Sequence, residues 1–167
     1  MKPQIRRWSD WLLLPCIAGL AFAAQAQETP TPSSPQVWLN AGAYSRHFDR
    51  NKNFREDNVG FGVEAWLAED HALMAGTFIN SDRARSHYAA YQWRPLHWQP
   101  AGIKVAAGIT LGAFDGYPRY HSGGWFPAAL PVLSVEYGRI GVNFFIVPTI
   151  ANRLDGALSV QLKLRVW

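Results

Sequence analysis

From residue 37 to the end of the chain, apolar residues recur at every second position, and no segment carries the 3.6-residue period of an amphipathic helix. The last segment shows it best. Leu158, Val160, Leu162, Leu164 and Val166 form one face, and Ser159, Gln161, Lys163 and Arg165 form the other. Val59, Phe61, Val63, Ala65 and Leu67 alternate in the same way with Asn58, Gly60, Gly62, Glu64 and Trp66. Ile140, Val142, Phe144 and Ile146 lie opposite Gly141 and Asn143. Strands with one apolar face need that face covered, either by a protein core or by lipid. Gly, Pro, Asn and Asp punctuate the pattern into eight strands near 37–48, 57–67, 72–81, 85–94, 102–114, 130–137, 140–150 and 156–167. An even count, with room in each strand for the ~9–11 residues that cross a bilayer, predicts an all-β fold, an eight-stranded antiparallel transmembrane β-barrel. Short turns at 68–71 and 138–139 alternate with longer polar connections, the longest after the fifth strand, as inner turns and outer loops of such a barrel do.

The start of the chain sets the compartment. Lys2, Arg6 and Arg7 precede an apolar run from Trp11 to Ala24 that closes on Ala24-Gln25-Ala26, which reads as a signal peptide over 1–26. A polar, Pro-rich linker at 27–36 follows, and the barrel is expected over 37–167. The chain carries a formal charge of +4, of which the leader accounts for two (Lys2, Arg6 and Arg7 against Asp10), leaving +2. That balance, with no dense run of Lys or Arg, excludes nucleic acid as a partner. The one cysteine, Cys16, leaves with the leader, so the exported domain has no disulfide. The six tryptophans beyond the leader (Trp38, Trp66, Trp93, Trp98, Trp125 and Trp167) stand near strand ends and suit the aromatic belts of a membrane protein. Trp167 shares its parity with Lys163 and Arg165 rather than with the apolar face, which implies a local bulge.

The alternation of turns also brings residues together. If the N-terminus faces the periplasm, the first strand ends outward at His47 and the third ends outward at Ser81, so two residues distant in sequence share the outer rim. A His beside a hydroxyl is a general-base arrangement. Ser and His at loop ends more often cap turns or bond water, and His121 in the 115–126 loop is a rival partner on the same rim. His71 and His97 fall at the other end. No His-x-x-x-His or Cys pair suggests a metal site, no phosphate-binding glycine loop occurs, and no cofactor is expected. Pro131 and Pro148, on the sixth and seventh strands, each remove a ladder N–H; either they leave an unpaired seam between those strands or they simply mark strand ends.

Several fixed spacings over residues 38–167 resemble the PagP family of outer-membrane lipid A palmitoyltransferases. Phe78-Ile79-Asn80-Ser81 is followed after seven residues by Ala89-Ala90-Tyr91-Gln92-Trp93 and directly by Arg94-Pro95-Leu96. Leu130-Pro131, Ser134-Val135 and Tyr137-Gly138 match a second family stretch, with Pro148 beyond it. The resemblance implies transfer of a palmitoyl chain from the sn-1 position of a phospholipid donor to a lipid A acceptor in the outer membrane, by a monomer without cofactor. It assigns catalytic roles to His47, Ser81 and Asn80, the last standing where the family carries Asp, and makes Pro131 and Pro148 a lateral entrance for lipid. Asp82, next along an extended chain, would point away from the site. The amphipathic helix that precedes the barrel in enterobacterial members has no counterpart in 27–36. The alternatives are a lipid A deacylase, a non-enzymatic small outer-membrane barrel and a soluble lipocalin-like binder.

Overall fold

In a computed structural model of the protein, residues 35–150 and 154–167 are described. The expected signal peptide and most of the linker lie outside them. Eight strands form one closed barrel: β1 (Gln36–His47), β2 (Asp57–Trp66), β3 (His71–Ile79), β4 (Arg85–Trp98), β5 (Lys104–Phe114), β6 (Phe126–Tyr137), β7 (Ile140–Val147) and β8 (Ala157–Arg165). Each pairs antiparallel with its neighbours, and β1 closes on β8. Closure joins the first strand to the last, so neither of them is a free edge.

The side-chain alternation divides inside from outside as the sequence predicts. Phe61, Val63, Leu73, Leu111, Leu133, Leu162 and Leu164 all face outward and are exposed, Phe61 to 71%. Glu64, Gln92, Arg94, Asn143 and Lys163 face the lumen and are buried. Apolar outside and polar inside is the inversion that a lipid-facing barrel requires. Two tryptophans depart from the expected belts. Trp38 and Trp66 are buried in the lumen, where Lys163 lies over the first ring and Arg94 over the second at 3.8 Å. Trp93, Trp98, Trp125 and Trp167 remain on the outer surface.

The lower lumen is filled by charge. Glu64 accepts from Arg94 at 2.8 Å, Lys163 at 3.0 Å and Asn143 at 2.9 Å, and Lys163 also reaches Glu136 at 2.6 Å. Every charge in this plug has an opposite partner, the condition under which buried ions are tolerated. Gly60 and Gly62 keep the upper wall thin. A Cβ on Gly60 would strike the Thr77 carbonyl, and one on Gly62 the Tyr88 hydroxyl.

Three irregularities shape the barrel. At Gly42, whose φ of +60° favours glycine, β1 carries an unpaired residue against β8, and the inward parity changes from Trp38 and Asn40 to Ala43, Ser45 and His47. In β4, Arg94 and Pro95 stand against the single residue Gly108. Pro95 has no N–H for the ladder, and the strand runs on past it to Trp98 instead of ending at 94. The N–H groups of Val166 and Trp167 both bond the Val37 carbonyl, at 2.9 and 3.2 Å, which is the local bulge implied by the parity of Trp167.

Candidate functional site

Above the plug the lumen opens into a cavity of about 320 Å3. Its depth is lined by Met74, Phe78, Tyr88, Phe114, Leu130 and Phe145, and its mouth by His47, Ser81, Asp82, Tyr117 and Arg119. An apolar well with a few polar groups at one end is the usual form of a small-ligand site. Among the described residues, no cluster of His, Cys, Asp or Glu is arranged to hold a metal ion.

His47 and Ser81 therefore share one mouth, as the strand directions predict. The His47 ring is 5% exposed and stacks on Phe54 of the first loop at 4.5 Å between centroids. Its Nδ1 is buried and has no hydrogen-bond partner among the described groups. Ser81 is fixed through its backbone, whose carbonyl accepts from the Arg55 N–H at 3.1 Å.

Asn80 has a different position. It is fully buried and uses its whole amide: Nδ2 donates to Ser86 Oγ at 2.9 Å and to the Gly116 carbonyl at 2.6 Å, while Oδ1 accepts from the N–H groups of Asp82 and Ala84. It ties the β3–β4 turn to the start of the third outer loop and so holds Ser81 at the rim. Asp82 does not point away as an extended chain would have it. The chain turns at 81–84, and the Asp82 carboxylate lines the cavity and pairs with Arg119.

His121, the rival on the same rim, does not line the cavity; Tyr120 beside it does, and His121 packs near Phe126. Four mouth residues carried no signal in the sequence: Phe54, Tyr117, Arg119 and Lys52. All sit on loops whose folding depends on contacts across the rim. Arg119 crosses from the third loop to Asp82 and lies 4.9 Å from the Phe54 ring, and Lys52 reaches Asp155 at 2.5 Å. The Asp82 bond holds the Arg119 guanidinium above its ordinary pKa, so it stays charged. Burial, aided by the negative charge of Asp82, pushes the Tyr117 phenol up, leaving a neutral O–H donor at the mouth. Glu56 at the base of the first loop is held below the ordinary carboxylate range, first by the Tyr44 hydroxyl and then by Arg50.

The two prolines bracket a gap. β6 pairs with β7 only from Val132 to Tyr137, against Phe145 to Ile140. The outer part of β6, Phe126 to Pro131, bonds β5 alone. Pro131 lies inside β6, which begins at Phe126 rather than near 130, and Pro148 follows the end of β7 at Val147. The seam between the sixth and seventh strands is present.

No family model matches the chain. Among curated proteins it is 32% identical over 136 residues to the lipid A acyltransferase PagP of Laribacter hongkongensis (strain HLHK9), an alignment covering 75% of this chain. The chain spans 63% of that relative's length. Among solved structures, the solution NMR structure of the de novo designed TMB2.3 superposes with a TM-score of 0.50 at 12% identity, covering 81% of this chain and 98% of that one. At that identity the likeness is one of fold alone.

Proposed function

From the premise that the chain belongs to the PagP family, we propose that it is a lipid A acyltransferase of the outer membrane, moving a palmitoyl chain from the sn-1 position of a phospholipid to a lipid A hydroxyl in the outer leaflet. The observation that carries this reading is the placement of His47 and Ser81 at the mouth of one apolar well. The donor enters sideways through the β6–β7 seam beside Pro131 and Pro148, and its acyl chain lies among Phe78, Phe114, Leu130 and Phe145. Apolar burial of the chain stabilises the complex and sets the ester at the rim.

His47 takes the proton of the acceptor hydroxyl as its oxygen attacks the donor carbonyl. The Ser81 and Tyr117 hydroxyls donate to the developing oxyanion. Collapse breaks the donor's C–O bond and returns a proton to the lysophospholipid, so His47 ends as it began. Asn80 acts by holding the turn that carries Ser81.

The test is a mass spectrum of lipid A from cells with and without the gene, after divalent cations are stripped from the outer membrane. A gain of one palmitoyl group that disappears with His47→Ala or Ser81→Ala is expected. A loss of an acyl chain indicates a deacylase. No change in either direction leaves the barrel a non-enzymatic one.

A further inference from the structure

On the outer wall beside the mouth, the β3–β4 turn carries two cations with no carboxylate. Among the described residues, the exposed ion pairs of the rim account for these cations: Arg46 and Arg50 with Glu56, Arg55 with Asp57, Arg119 with Asp82 and Lys52 with Asp155. Asp115, the carboxylate beside β4 on this wall, accepts from the His87 N–H at 2.5 Å and bonds its ring. Among the described residues, no carboxylate lies within ion-pair distance of Arg83 or Arg85. The Arg83 guanidinium donates one bond, to the Asn53 carbonyl at 3.3 Å, and both arginines are exposed.

Their placement is fixed. Arg85 shares the outward parity of His87, Ala89 and Tyr91, opposite the lumen-facing Ser86 and Tyr88. Arg83 occupies a left-handed position, φ 66°, in a turn that Asn80 clamps. Glycine or asparagine is the usual occupant of such a position, so the arginine costs backbone strain there. Below the turn, on the same side of the barrel, lies bare apolar wall: Val59 and Phe61 on β2 and Leu73 on β3, between 49% and 71% exposed. Unpaired positive charge immediately above an acyl-compatible surface fits an anion carried on a lipid.

We infer that Arg83 and Arg85 bind a phosphate of the lipid A acceptor from outside the barrel, with its acyl chains along the β2–β3 wall. The inference rests on the acyltransferase reading and adds the group by which the acceptor is recognised. Ser81 and Asp82, the two residues that precede Arg83 in the same turn, line the mouth. A phosphate held at the turn therefore anchors the sugar beside the donor ester.

The experiment titrates the full chain, folded in detergent, with bis-phosphorylated lipid A and with the same lipid lacking its phosphates, reading bound lipid by native mass spectrometry. The wild-type protein is expected to prefer the phosphorylated lipid by about tenfold or more, the scale of one charge-assisted contact. The R83Q/R85Q double variant is expected to lose that preference while binding the phosphate-free lipid unchanged, and R83K/R85K to keep part of it. A preference that survives in the double variant overturns the proposal, as does equal weakening towards both lipids. Equal retention of phosphatidylglycerol, or full displacement of lipid A by millimolar inorganic phosphate, overturns the assignment to the acceptor. In a transfer assay, the double variant should raise the acceptor KM and leave kcat. Absence of any transfer by the wild-type protein sinks the acyltransferase reading alone, because the binding preference is read without turnover.

Discussion

Asn80 has two amide hydrogens and two acceptor sites, and the fold uses all of them. A side chain so committed has nothing left for a substrate, although its place in the sequence is that of a family carboxylate. Asn80→Ala removes these bonds from a fully buried site, and the expected loss is about 2–3 kcal/mol of stability. A urea titration of the refolded barrel measures it. Activity per folded molecule should fall less than in Ser81→Ala, which leaves stability nearly untouched. His47 and Ser81 were legible in the sequence because strand direction alone brings them to one rim. Asp82 was not, because its orientation is decided by a turn and by Arg119, on a different loop. Glu56 sets the pH response of the first loop. Its folded pKa is depressed, so the fastening to Tyr44 and Arg50 is complete above the ordinary carboxylate pKa and is lost as pH falls through the depressed value. The protection of amides 49–56 against hydrogen exchange, taken relative to the intrinsic rate at each pH, should therefore be unchanged from pH 8 to 6 and fall only in acid below that range.

At the scale of the strand, Gly42 decides which side of β1 faces the lumen. Before it, even positions point inward; after it, odd ones do, and His47 is among them. A Cβ at Gly42 would meet nothing within 4 Å, so Gly42→Ala strains only the backbone. It should cost about 1–2 kcal/mol and keep activity. Inserting one residue between Ala43 and Tyr44 is expected to preserve a folded barrel, by its gel mobility, and abolish transfer, because Tyr44 and Arg46 then face the lumen and His47 faces lipid, whereas deleting Gly42 joins Ala41 to Ala43 and leaves His47 inward. The period-two pattern made most strands readable, since which face is apolar is a local property of the sequence. Bulges were less readable. They move the parity by one residue, and the strand on each side still alternates. β6 was read short because Phe126 to Pro131 pairs with β5 alone and contains two prolines, a composition that resembles a loop.

The molecule as a whole is a wall around a charged plug. Glu64 is at its centre, with Arg94, Lys163 and Asn143 all directed at it. Glu64→Ala leaves Arg94 and Lys163 buried with Glu136 as their one remaining carboxylate among the described residues, and a loss of about 3–5 kcal/mol is expected from urea unfolding. Removing the plug's charges entirely, by replacing Glu64, Arg94, Lys163 and Glu136 together with apolar residues, should restore much of it. Trp38 and Trp66 belong to this plug because their faces carry Lys163 and Arg94, an inward use of tryptophan that strand-end position does not reveal. With its floor sealed, the barrel is a cup and not a pipe. Whatever goes in has to come out past the same rim or through the same slit. On the acyltransferase reading proposed above, departing lysolipid and arriving donor share those exits, and turnover is expected to slow as spent donor accumulates in the surrounding leaflet, before fresh donor runs short.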